Sequence, residues 1–237
     1  MNRASIPDEQ RLIVALDLPS ASEAQALVDE LGDAAHFYKV GLELFTGSDG
    51  FGMVDWLTAR DKHVFVDLKF FDVPATVARA VSQLKGRGIT FATVHGNDAM
   101  MRAAAEAAGD VGILAVTVLT SLDAADMKDL GFDCDIPELV CSRARRAVAC
   151  GCAGVVASGQ EAAMLRATLG DHGAIVTPGI RPGDHDDDQK RTVTARQALT
   201  DGADYLVVGR PIRDAAHPRE AALRIQAEIA SALADRS

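Results

Sequence analysis

The chain has no apolar run of the roughly 20 residues that would cross a bilayer as a helix, so no membrane span is expected. Met1–Gln10 is polar and carries Asp8 and Glu9, without the basic start and apolar stretch of a secretory signal. Positive charge is scarce. The 24 Lys and Arg residues stand against 34 Asp and Glu, a formal net charge of -10. Such a field disfavours nucleic acid and anionic membranes as partners, yet a few local groups can still hold one small anion. From these features a cytoplasmic protein is expected. Cysteine is limited to Cys134, Cys141, Cys150 and Cys152. The Cys150-Gly-Cys152 spacing is too short for a zinc knuckle, and no histidine stands at finger spacing. No metal is expected, and the thiols read as buried or idle in a reducing compartment. Ser158-Gly159 does not form the Gly-x-Ser-x-Gly elbow of a hydrolase.

What is present is a repeat of short apolar runs and longer amphipathic stretches. The 237 residues, 48% hydrophobic, match the usual size of one (β/α)8 barrel. Strands are expected at Leu12–Asp17, His36–Gly41, His63–Lys69, Phe91–His95, Gly112–Leu119, Gly154–Ser158, Ala174–Thr177 and Tyr205–Gly209. Most are continuous rather than alternating, as in parallel strands covered on both faces. Helices are expected at Ser20–Leu31, Pro74–Lys85, Asp98–Ala108, Gln160–Leu169, Thr194–Thr200 and His217–Ala234. Ser20 is a candidate N-cap with Glu23 at capping-box spacing, and Pro74 suits a first helical position. An open doubly wound sheet would carry Gly-x-Gly-x-x-Gly after its first strand. Here that turn is Leu16-Asp17-Leu18-Pro19-Ser20, with no glycine. With no linker or low-complexity segment, residues 1–237 read as a single α/β domain, a (β/α)8 TIM barrel.

In such a barrel the active face lies at the C-terminal ends of the strands. Strand one ends in Asp17, strand two in Lys39-Val40-Gly41, and strand three in Asp67-Leu68-Lys69 with Asp72 beyond. Alternation puts Asp67 and Lys69 on one side. Two lysines and three acids at one mouth are costly to bury unless paired, and such clusters are where catalysis concentrates. His95, ending strand four, reads as a hydrogen-bonded structural histidine. Gly179-Ile180-Arg181 after strand seven and Gly209-Arg210-Pro211 after strand eight stand where barrels frequently hold phosphate. Glycine there admits close backbone approach and arginine supplies a bidentate fork. The acidic run Asp184–Asp188 reads as a solvated loop.

The segment Asp67-Leu68-Lys69-Phe70-Phe71-Asp72-Val73-Pro74-Ala75-Thr76 resembles the Asp-x-Lys-x-x-Asp signature of the orotidine 5′-phosphate decarboxylases. The resemblance runs from Val14-Ala15-Leu16-Asp17 to Gly209-Arg210-Pro211-Ile212, with Ala75 where most members carry Asn. It implies an enzyme that decarboxylates orotidine 5′-monophosphate to uridine 5′-monophosphate, the last step in making that nucleotide, without a cofactor. It also implies a charge network of Lys39, Asp67, Lys69 and Asp72 as the catalytic set. Asp17 and Lys39 would hold the ribose. Thr120, or its neighbour Ser121, would contact the pyrimidine. Arg181, Gln189, Gly209 and Arg210 would hold the phosphate. A homodimer is implied, in which Asp72 and Thr76 reach into the neighbouring subunit's site. Lys69 would stabilise charge at C6 and protonate it. Two other readings remain. One is a magnesium-dependent sugar-phosphate decarboxylase or aldolase of the same superfamily, in which a glutamate generally stands where this chain has Lys39. The other is a non-catalytic nucleotide-binding barrel.

Overall fold

The apolar runs pair as parallel strands because both of their faces are covered. The computed structural model describes residues 6–47, 49–181 and 193–235. Its strands are β1 (Leu12–Ala15), β2 (Phe37–Gly41), β3 (His63–Phe70), β4 (Ile89–Val94), β5 (Gly112–Val116), β6 (Gly154–Val156), β7 (Ala174–Thr177) and β8 (Tyr205–Val208). They close in sequence order into a parallel barrel, β8 pairing with β1. The fold is the expected (β/α)8 barrel. Several observed strands stop short of the expected C-terminal ends, β5 at Val116 rather than Leu119. There the chain leaves the ladder to build the loops of the active face.

The helices are α1 (Ala21–Leu31), α2 (Leu42–Gly47), α3 (Gly50–Thr58), α4 (Pro74–Ser82), α5 (Asp98–Ala107), α6 (Ala124–Asp129), α7 (Ile136–Ala149), α8 (Ala162–Leu169), α9 (Ala195–Thr200), α10 (Arg210–Arg213) and α11 (Pro218–Ala234). Ser20 caps α1 by accepting the Glu23 N–H at 3.2 Å. The Glu23 carboxylate takes the Ser20 hydroxyl at 2.8 Å, so the reciprocal half of the box closes on the side chain. Pro74 occupies the first turn of α4 as expected. Helices α2, α3, α6, α7 and α10 were not anticipated. Two glycines in the first turn of α3 argue against helix by propensity, and α10 is too short to show a period. A local signal did mark α7, where Asp135 accepts the Glu138 N–H at 2.7 Å and Pro137 follows in the first turn.

Strand alternation divides the core. Leu12, Val14, Tyr38, Val64, Val66 and Ala92 belong to the large cluster between sheet and helices. Ile13, Phe37, Phe65, Phe91, Leu114, Val176 and Tyr205 form a separate cluster that fills the barrel interior. The Phe91 and Tyr205 rings meet edge-on at 5.3 Å, and Phe37 lies 5.8 Å from Phe91. Each fully buried phenylalanine contributes roughly 1.5–3 kcal/mol through removal from water. At the opposite rim from the active face, Asp204 is 0% exposed. It accepts Arg166 Nη2 at 2.6 Å and the Ile175 N–H at 2.9 Å, so its charge is paired.

Candidate active site

The same alternation that builds the apolar plug places charge above it. Two residues beyond inward Phe37 comes Lys39, two beyond Phe65 comes Asp67, and two beyond Ala15 comes Asp17. These side chains open into a cavity of about 530 Å³ at the C-terminal mouth of the barrel. Asp17, Lys39, Asp67, Lys69, Thr120, Arg181, Gly209 and Arg210 all line it. Of the Thr120–Ser121 pair, Thr120 is the residue on the cavity wall. Gln189 and the acidic run Asp184–Asp188 lie outside the described residues.

The charges alternate along a chain of contacts. Lys39 Nζ donates to Asp17 Oδ1 at 2.8 Å and lies 3.6 Å from Asp67 Oδ2. Lys69 Nζ donates to Asp67 Oδ1 at 2.9 Å. Lys39 is 8% exposed. Burial alone would raise the Asp67 carboxyl. The Lys39 and Lys69 ammoniums, with hydrogen bonds from Lys69 and Thr93, outweigh it and hold that carboxyl below its ordinary value. Asp67 is therefore ionised at neutral pH. The expectation that Asp67 and Lys69 share a side holds, but not through regular alternation. Lys69 has a φ of 50°, and β3 breaks register with β4 between Val66 and Phe70.

Asp72 and Thr76 do not line the cavity of their own chain. Beyond Phe70 the chain turns outward into α4. Asp72 Oδ1 accepts the Val73 N–H at 2.6 Å, and Thr76 Oγ1 accepts Arg79 Nη2 at 3.2 Å. Phe71 and Val73, on either side of Asp72, are 66% and 63% exposed. Phe71 lines a largely apolar groove of about 810 Å³. His95 faces this groove. Its imidazole packs edge-on against Phe71 at 5.6 Å. No side-chain hydrogen bond holds it among the described residues, so the expected structural bond is replaced by a ring contact. Burial, with the Arg143 and Lys69 charges, lowers the His95 pKa. All four cysteines are free thiols, and burial, with Cys150 beside it, pushes Cys152 up to about 12.

Sequence reasoning overlooked Gly41, Thr93 and Arg213. Gly41 and Arg213 line the cavity. Arg213 Nη1 donates to the Asp17 carbonyl at 2.6 Å, while its Nε pairs with Asp214 at 2.6 Å. A Cβ at Gly41 would stand 2.8 Å from Lys39 Nζ and 2.9 Å from Asp17 Oδ1, so glycine makes room for the ion pair. Thr93 bonds both Asp67 and the Lys69 backbone. Counting inward positions two by two, Phe91-x-Thr93 and Phe37-x-Lys39-x-Gly41, would have found Thr93 and Gly41.

A closed (β/α)8 barrel with alternating ammonium and carboxylate groups at its C-terminal mouth, beside a rim of arginines, defines a class of barrel enzyme. A family model described as orotidine 5′-phosphate decarboxylase / HUMPS family matches residues 10–225, and the chain belongs to this family. It is 64% identical over 231 residues to the orotidine 5′-phosphate decarboxylase of Methylococcus capsulatus, covering 97% of this chain and 96% of the relative. It is 52% identical over 241 residues to that of Stenotrophomonas maltophilia, covering 100% of both chains. Among solved structures, the decarboxylase from Lactobacillus acidophilus superposes with a TM-score of 0.84 at 35% identity, over 93% of this chain and 99% of that one. The enzyme from Pyrococcus horikoshii OT3 gives 0.75 at 27% identity, over 92% of this chain and 99% of that one.

Proposed function

We propose that this chain, a single catalytic domain over residues 1–237, converts orotidine 5′-monophosphate to uridine 5′-monophosphate and carbon dioxide, the final step in forming that nucleotide. The observation that carries the reading is the Lys69 ammonium held 2.9 Å from the Asp67 carboxylate on the wall of the cavity. Breaking the bond from C6 to the carboxylate leaves an electron pair on C6 that the ring delocalises poorly. A fixed ammonium stabilises that charge as it develops, and the Lys69 N–H then gives its proton to C6. Asp67 orients Lys69 and lies beside the departing carboxylate. Lys39 and Asp17 hold the ribose hydroxyls, Thr120 meets the pyrimidine, and Arg181, Gln189, Gly209 and Arg210 hold the phosphate. That remote grip supplies binding energy used at the reacting carbon.

The chemistry needs no cofactor in this scheme. An ammonium between Asp17 and Asp67 neutralises the carboxylates that would otherwise suit a divalent cation. The working form is a homodimer in the cytoplasm, with Asp72 and Thr76 of each subunit completing the partner's site. The exposed Phe71 and Val73, with the apolar groove that Phe71 lines, support that assembly, and four unpaired thiols suit a reducing compartment. Among the described residues no helix is long and apolar enough to cross a membrane.

The test mixes chelator-treated protein with orotidine 5′-monophosphate and follows the loss of its ultraviolet absorbance, with Lys69→Ala beside it. Rapid conversion by wild type, lost by orders of magnitude in a variant that still binds nucleotide, is expected. Near-normal turnover in Lys69→Ala removes Lys69 from its role. Inactivity reversed only by magnesium with a sugar phosphate moves the chain to the other branch of the family.

A further inference from the structure

We infer that Thr93 is a positioning residue, whose hydroxyl locks Lys69 and Asp67 into their working relation. The β3–β4 ladder runs in register at Val66↔Ala92 and resumes at Phe70↔Val94. Between those pairs Asp67, Leu68 and Lys69 stand opposite Thr93 alone, so β3 bulges. A bulge re-aims side chains and leaves backbone groups without their ladder partners. Lys69 sits at its end with a φ of 50°, in the left-handed region. That conformation is strained for a residue with a Cβ and persists only where its surroundings enforce it.

Thr93 supplies the enforcement. The Lys69 N–H donates to Thr93 Oγ1 at 2.9 Å. The threonine hydroxyl donates in turn to Asp67 Oδ1 at 2.9 Å, the same oxygen that accepts Lys69 Nζ. An N–H only donates and a carboxylate only accepts, so the hydroxyl has one orientation that satisfies both. One oxygen thus ties the strained backbone of Lys69 to the carboxylate that aims its ammonium. Thr93 is 0% exposed, so water does not compete for either bond. It does not line the cavity, so it acts through Lys69 and Asp67 rather than on a ligand.

The inference rests on the decarboxylase reading for its kinetic test. Thr93→Val keeps the shape and removes the hydroxyl, while Thr93→Ser keeps the hydroxyl. We expect Thr93→Val to lower kcat roughly tenfold or more with KM within about threefold, because an ordering contact has been lost rather than ligand binding. Thr93→Ser should restore kcat to within about threefold of wild type. A second readout needs no substrate. In protein labelled at the aspartate carboxyl carbons, the Asp67 titration observed by NMR should move upward in Thr93→Val, which removes one hydrogen bond to the charged form. If Thr93→Val does not fold, Thr93→Ala takes its place in both arms.

The outcomes separate the two readings. Wild type inert towards orotidine 5′-monophosphate defeats the decarboxylase reading, and the Asp67 titration then decides for or against Thr93. Turnover and titration both unchanged in Thr93→Val overturn the positioning role. Equal losses in Thr93→Val and in Thr93→Ser, which keeps the hydroxyl, show that the hydroxyl does not carry the effect and overturn it as well.

Discussion

Replacing Gly41 with alanine should cost this protein little of its fold and much of its site. The added Cβ would stand 2.8 Å from Lys39 Nζ and 2.9 Å from Asp17 Oδ1, with no other atom beyond its chain neighbours within 4 Å. Those two groups are themselves 2.8 Å apart, so the methyl wedges against the ion pair and nothing else. Gly41 has no positive φ, so alanine fits the backbone. Its lower unfolded-state entropy is worth about 0.4–1 kcal/mol in favour of folding, and that gain offsets part of the crowding. The displaced contact is a charge-assisted hydrogen bond of about 1.5–3 kcal/mol. The Asp17 side chain is 41% exposed, and solvent screening trims the loss to about 1–2 kcal/mol. That corresponds to roughly 5- to 30-fold in kcat/KM. The larger part should appear in KM if Lys39 and Asp17 hold the ribose. Steady-state kinetics with orotidine 5′-monophosphate, paired with thermal unfolding, measures both sides. A kcat/KM within twofold of wild type would refute the claim that this ion pair constrains the site. A large fall in Tm would show that the glycine serves the fold instead.

Gly209 offers the complementary case. A Cβ there would meet Ala15 Cβ at 3.6 Å and Asp17 Oδ2 at 3.8 Å, both ordinary contacts, so Gly209→Ala should leave Tm unchanged while occupying the space assigned to phosphate. Uridine 5′-monophosphate should bind at least about tenfold more weakly by calorimetry, and unchanged affinity would remove Gly209 from the phosphate site. Stability should also depend on pH in two windows. Burial lowers the pKa of His63 and His95 from 6.5, so below that value the unfolded chain takes up protons that the folded chain refuses, and stability falls as pH drops. Asp67, held below 3.8, contributes stability that is present above that pH and lost as pH falls through its folded value. Tm should therefore stay level down to about pH 6.5, decline below it, and drop again below about pH 4. A level Tm between about pH 6.5 and 5 would contradict the histidine assignment.

Much of this architecture was legible because the barrel obeys a simple period. Continuous apolar runs mark strands with both faces covered, and the ends of those runs carry Asp17, Lys39 and Asp67, which the structure brings into one cavity. The helices lying between expected elements were harder to read. Helix α3 starts Gly50-Phe51-Gly52, which argues against helix locally, and Asp49 caps it through the Gly52 N–H at 2.9 Å. The break in β3 was invisible. Strict alternation predicted the correct neighbours for Asp67, whereas the actual device is a bulge stabilised by a side chain on the next strand. Alternation along β4 marks Thr93 as inward-facing, but its pairing with the bulge in β3 has no signature within either strand alone. The roles of Thr93 and Arg213 escaped notice because each acts through a partner distant in sequence.

The charge count of the array bears on how the proposed reaction is driven. Within one chain Asp17, Lys39, Asp67 and Lys69 form two opposite pairs whose formal charges cancel, and the proposed dimer adds one more negative charge from Asp72 of the other subunit. A substrate carboxylate bound as proposed meets no net attraction there, with Asp67 as a fixed negative neighbour. Affinity must then come from the far end of the nucleotide, where Arg181 and Arg210 line the cavity. In the proposed binding mode, loss of carbon dioxide leaves the total charge unchanged and moves the negative charge from the carboxylate, beside Asp67, to C6, beside Lys69. The array favours that displacement more than it favours the bound substrate, which is the differential stabilisation that accelerates a chemical step. Its effect depends on Lys69 and Asp67 being held at a fixed spacing, 2.9 Å in this structure. The buried hydroxyl of Thr93 and the missing side chain of Gly41 therefore belong to the chemistry as much as the charged groups do.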